Sequence, residues 1–119
     1  MSLIQSYKVG HSPDPDDAFM FHAMTTGAID TDGRKYEHVL LDIETLNKHA
    51  TNGDYEVSAV SIHSFPEISD KYHLMNCGAS MGEGYGPMII SSREMELEEA
   101  KNLVFAIPGV GTSAYLALR

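Results

Sequence analysis

His11, Asp14, Asp16 and Asp17 fall within one stretch, GHSPDPDDAFMFHAM (residues 10–24), around two prolines and just ahead of an apolar run. Three kinds of chemistry suit these residues. The plainest is a helix start: Asp14 is a good N-cap, Pro15 suits the first helical position, and Asp16 and Asp17 complement the positive end of the helix dipole. Gly27 would close that helix. A metal site is the second reading. Pro13 and Pro15 stiffen the loop, adjacent aspartates at a helix start diverge, and the spacing matches neither zinc nor calcium patterns, so no metal is expected. The third is a ligand wall. In open α/β sheets, ligands lie beyond the carboxyl ends of strands, and the loop 12–17 directly follows the first strand candidate. An acid there could orient a hydroxyl-rich ligand or act on a proton.

Three other loops share that position. Ser61 ends the apolar run VSAVS and is followed by His63 and Ser64. A Ser–His pair could suggest acyl transfer, but G-x-S-x-G is absent and nucleophilic catalysis is not expected. MGEGYGP (81–87) is glycine-rich without a phosphate-loop pattern, and a flexible connection explains it as well as a site does. PGVGTSAY puts Thr112 and Ser113 at a helix start after a strand candidate. Their hydroxyls and the free backbone N–H groups suit a carboxylate, and a simple cap by Thr112 suits them equally. His22, His38, His49 and His73 are scattered, and surface or satisfied core roles are the default for them. The carboxylates of EMELEE (94–99) read as a solvated helix face.

The elements that must position these loops alternate between strand and helix, the pattern of an α/β sheet with parallel strands. Strands are expected over 6–12, 36–42, 57–62, 86–92 and 102–109. Helices are expected over 15–27 and 43–53, from 63 to about Ser69, over a short stretch after the capping-box spacing Ser91 to Glu94, and from Thr112 onward. The helix 43–53 groups Ile43, Leu46, Asn47 and Ala50 on one face. The last helix runs only about two turns to Arg119 without a closing Gly, Asn or Pro, so it is expected to continue.

The charge balance narrows the partners. Seventeen acidic against eight basic residues give a net charge of −9, which argues against nucleic acid, whose binding runs on Lys and Arg. No apolar run nears the ~20 residues of a membrane span, and MSLIQSYK lacks a secretory h-region. The first residues of that segment are assigned no function. Cys77 is the one cysteine, so no intrachain disulfide forms and a reducing, cytoplasmic setting is expected.

VGHSPDPDDAFMFHAM, LDIETLN, VSAVS, GYGPMIIS and AIPGVGTSAYL, in this order, resemble the N-terminal part of the 1,4-dihydroxy-6-naphthoate synthase family of the futalosine route to menaquinone. The resemblance covers nearly the whole chain. It implies the type II periplasmic-binding-protein fold, two α/β lobes with ligand in the cleft. Residues 1–109 would then form the first lobe and 110–119 the start of the crossing to the second. It implies a lyase that acts on cyclic dehypoxanthine futalosine, a small anionic substrate, without a cofactor. Matched motif by motif, the substrate-binding positions are Ser12, Asn47, Ala59, Val60, Ser61, Thr112, Ser113 and Ala114. Asp17 would orient a sugar hydroxyl or assist proton transfer, and the family's catalytic His would lie beyond Arg119. Asp14 and Asp16 stand where the family carries Cys and Asn, which makes the cleft mouth more acidic. Ala59 replaces a Lys.

Two further functions remain open on sequence. One is a solute-binding relative that takes a small carboxylate without chemistry, with a chorismate dehydratase relative as a variant fitted less well by GYGP and PG-x-x-TS. The other is a one-lobe module that self-associates through an unpaired sheet edge.

Overall fold

A computed structural model describes residues 6–119, and residues 1–5, with the reading made of them, lie outside it. The fold begins with β1 (Ser6–His11), α1 (Pro15–Thr25), β2 (Lys35–Leu40), α2 (Ile43–Asn52) and β3 (Val57–Ser58). A 3-10 turn (Phe65–Ile68), α3 (Leu97–Ala100) and α4 (Ser113–Leu118) follow. The three strands form one parallel sheet in the order β2-β1-β3. Parallel neighbours need crossovers, and α1 and α2 supply them.

Every strand of this sheet runs the same way, so the loops after His11, Leu40 and Ser58 emerge at one end. Register fixes their order: His11 faces Leu40 on one side, and Gly10 faces Ser58 on the other. The Ala59 N–H continues the pairing by donating to the Gly10 carbonyl at 2.8 Å. Gly10 is required by space. A Cβ there would lie 2.8 Å from Leu46 and 2.9 Å from Tyr55, so α2 packs directly on the central strand.

The core is small and lies under α2. Val9, Leu46, Ala50 and Ile68 are fully buried, which places the expected face of α2 inward. Asp42 caps that helix by accepting from the Thr45 N–H at 3.0 Å, and Gly53 ends it in the left-handed region at φ 77. Only Gly and a few polar residues enter that region without strain. By contrast, α1 buries none of its residues.

Two expected strands do not form. Residues 86–92 and 102–109 join no ladder. None of residues 73–99 is buried, and Met88, Ile90 and Val104 are exposed. An apolar run is compatible with a strand, but a strand also needs a neighbour to bond to. The expected strand 57–62 stops at Ser58, because residues 61–64 turn and the Ser64 N–H donates back to the Ser61 carbonyl. The expected helix after it is only the 3-10 turn. The helix near residue 94 starts later, with Glu96 at its N-cap and no side-chain cap bond. Ser91 instead accepts from the Arg93 N–H.

The molecule is correspondingly long. Its radius of gyration is 17.6 Å and its extents are 66 × 31 × 21 Å, against about 13.5 Å for a compact chain of this length. The accessible surface is 9340 Å², where about 6,400 Å² is usual for this mass.

Candidate functional site

Two polar clusters sit side by side at the carboxyl end of the sheet. The first surrounds the end of β1. The His11 ring is buried and stacks on Phe21 of α1, with centroids 4.2 Å apart. Its Nδ1 lies 3.1 Å from the Ser12 carbonyl and its Nε2 lies 2.9 Å from Nδ1 of His38. A carbonyl only accepts, so Nδ1 of His11 is the donor there. With both rings neutral, His38 donates through its own Nδ1 and its Nε2 is a bare lone pair. That atom is buried without a hydrogen-bond partner. Burial holds the His38 pKa below the ordinary imidazole value, and the neighbouring His11 lowers it further.

The acids of the opening motif divide their work differently from the expectation. Asp14 occupies the N-cap position of α1, but its side chain makes no cap bond. The reach-back comes from Asp17, whose carboxylate accepts the Ser12 N–H at 2.6 Å and lies 4.0 Å from Nδ1 of His11. Ser12 in turn accepts the Asp14 N–H at 3.1 Å. Asp16 points away, exposed; a hydrogen bond from Ser80 is the main cause of its lowered pKa. Together with Phe19, Met20, Gly78 and Ala79, those two residues line an open groove of about 340 Å³.

The second cluster joins α2, the loop after β3 and the turn before α4. Asn47 is buried and holds Ser61 twice: its Oδ1 accepts the Ser61 N–H at 2.8 Å, and its Nδ2 donates to the Ser61 Oγ at 3.2 Å. Three residues later Ser64, also buried, donates its hydroxyl to the Gly111 carbonyl at 2.7 Å. The Gly111 N–H donates to Glu44 at 3.0 Å. The His63 N–H reaches the Ser113 Oγ at 3.4 Å. Thr112 is buried, donates its hydroxyl to the Gly109 carbonyl at 2.8 Å and accepts the Tyr115 N–H at 3.2 Å. Its hydroxyl is therefore engaged as the cap of α4.

Of the residues singled out in the sequence, Asn47, Ser61, Thr112 and Ser113 are drawn into this one network. Ser12 and Asp17 are tied to each other one strand away. Ala59 and Val60, half-buried, directly follow β3, and Ala114 lies in the first turn of α4. Glu44, Ser64 and Gly111 were not singled out. Their signals were the two glycines of PGVG and the acid one turn before Asn47. The His11–His38 pair was equally missed, although the register Val9 to His38 follows from pairing the two strands. Among the described residues no group of three or more His, Cys, Asp or Glu is arranged to hold a metal.

These features define a mixed α/β chain with a small, open parallel sheet whose strand-end loops build polar clusters. Its sequence matches the model of the menaquinone-biosynthesis family over residues 7–119, and the chain belongs to that family. It is 31% identical over 115 residues to a 1,4-dihydroxy-6-naphthoate synthase of Thermus thermophilus, covering 97% of this chain and 41% of that protein. A 1,4-dihydroxy-6-naphthoate synthase of Streptomyces coelicolor is 30% identical over 94% of this chain and 39% of its own length. The chain thus spans about two fifths of the curated relatives it matches. The crystal structure of protein AF1704 from Archaeoglobus fulgidus is similar with a TM-score of 0.65 and 53% identity, over 68% of this chain and 30% of that one.

Proposed function

We propose that this chain is one wall of the substrate cleft of a lyase that converts cyclic dehypoxanthine futalosine to 1,4-dihydroxy-6-naphthoate. The observation that carries this reading is the convergence of Asn47, Ser61, Thr112 and Ser113 at the carboxyl end of the parallel sheet, in a chain of the menaquinone-biosynthesis family. Ser61 and Ser113 bind the anionic and hydroxyl groups of the substrate, while Ser12 and Asp17 orient a sugar hydroxyl from the neighbouring strand end. The fold is that of a type II periplasmic-binding-protein lobe, with 1–109 as the lobe and 110–119 leading into a second lobe that carries the catalytic histidine. The surface in excess of a compact chain supports this, since about 3,000 Å² more than usual is on display. In the absence of such a lobe, the unpaired edges of β2 and β3 would be the sites of self-association.

The test is turnover by protein expressed from the native gene. Release of the naphthoate from the cyclic substrate supports the lyase. Thermal stabilisation by small carboxylates with no product would replace it with a solute-binding role on the same fold.

A further inference from the structure

We propose that Glu44 is the positioning residue of this wall: one turn of α2 holds both of its loops, Ser61 through Asn47 and the Gly109–Gly111 turn through Glu44. The inference rests on the cleft reading for its consequence and on geometry for its substance.

The Glu44 side chain is only 12% exposed, and the nearest cation, Lys48 Nζ, stands 3.8 Å away and is itself 72% exposed. A carboxylate so placed needs hydrogen-bond donors. It takes the Gly111 N–H at 3.0 Å. Such a charge opposes an anionic ligand nearby, so its use here is in what it holds. Glu44 and Asn47 are three residues apart and share one face of α2. Asn47 anchors the loop after β3, and Glu44 anchors the turn before α4. Ser64 closes the ring by donating to the other side of Gly111.

The two glycines make the fit close. A Cβ on Gly109 would overlap the Glu44 side chain. A Cβ on Gly111 would lie 2.7 Å from Ser64 Oγ, 3.1 Å from Glu44 Oε2 and 3.2 Å from Asn47 Nδ2. No other residue type lets the turn approach α2 this far. The separation of Ser61 from Ser113, which a ligand must span, is set by this clamp.

The experiment has two independent readouts. In the chain itself, amide exchange of Gly111 is slow in the wild type, about tenfold faster in Glu44→Ala, and near wild type in Glu44→Gln, which keeps an acceptor oxygen. Glu44→Asp keeps the charge but falls a methylene short, so it also speeds exchange and serves if the alanine variant does not fold. In protein from the native gene, Glu44→Ala raises KM for the cyclic substrate about tenfold with kcat within about threefold, and Glu44→Gln restores KM. Unchanged Gly111 exchange in Glu44→Ala and Glu44→Asp overturns the clamp. A freed turn with unchanged KM overturns its role in binding. If the wild type turns over nothing, the lyase reading fails, while the exchange measurement still decides the clamp.

Discussion

Residues 6–72 and residues 73–107 both carry apolar runs and meet opposite fates. The first region holds the sheet, α2 and nearly the whole core; the second contributes one short helix, and Ala100 is its buried residue. Both contain runs that read as strands. KYEHVL becomes β2 because SYKVGH lies beside it in parallel register. PMII stays exposed because no strand among the described residues offers it a ladder. A run of apolar residues therefore does not make a strand by itself; the neighbour does.

Truncations in the two regions should differ most. Leu46→Ala, in a side chain with no exposure, is expected to cost about 3 kcal/mol in chemical denaturation. Ile90→Ala, at 88% exposure, should stay within about 0.5 kcal/mol. A comparable loss in both would mean that residues 86–92 pack in solution and would break the comparison.

Asn47→Ala should follow at about 2 kcal/mol, because it strands the part-buried Ser61 N–H and hydroxyl at once. Asn47→Asp sharpens the result: it keeps acceptance from the N–H but presents a second acceptor to the Ser61 Oγ. Recovery to part of the wild-type stability is expected, read by the same denaturation curves.

The β1–β2 corner adds a pH dependence. His38 in the fold has a pKa below the ordinary value near 6.5, so the unfolded chain binds a proton first as pH falls. Its contribution to stability is fully present above about pH 6.5 and is lost as pH drops through the folded value. Melting temperatures from pH 7.5 to 5 should fall more steeply in the wild type than in His38→Gln. Parallel profiles would remove His38 as the cause.

The smallest effect compares two caps. Asp42 accepts from the N–H and the hydroxyl of Thr45, whereas the side chain of Asp14 makes no cap bond. Asp42→Ala should lower the melting temperature more than Asp14→Ala, and the reverse order would restore Asp14 as the working cap of α1.

Local chemistry was legible in the sequence and pairing was not. The helix face Leu46, Asn47 and Ala50, the stop at Gly53 and the start at Pro15 each depend on residues within a few positions, and they appear where the spacing put them. The candidate residues Asn47, Ser61, Thr112 and Ser113 were named from loops and motifs, and the structure adds the hydrogen bonds around them. Glu44 to Gly111 spans 67 positions and Ser64 to Gly111 spans 47, a separation no local pattern reports. Asp14 and Asp17 show the same limit at short range: both suit a helix start, and only the backbone geometry of Ser12 decides which one is used.

The most direct test of the cleft assignment is hydrogen exchange on protein from the native gene, with and without 1,4-dihydroxy-6-naphthoate. The account predicts ligand-dependent slowing at residues 59–64 and 111–114, with residues 86–92 unchanged. Slowing confined to the groove between Asp16 and Ser80, with residues 59–64 and 111–114 unaffected, would contradict it.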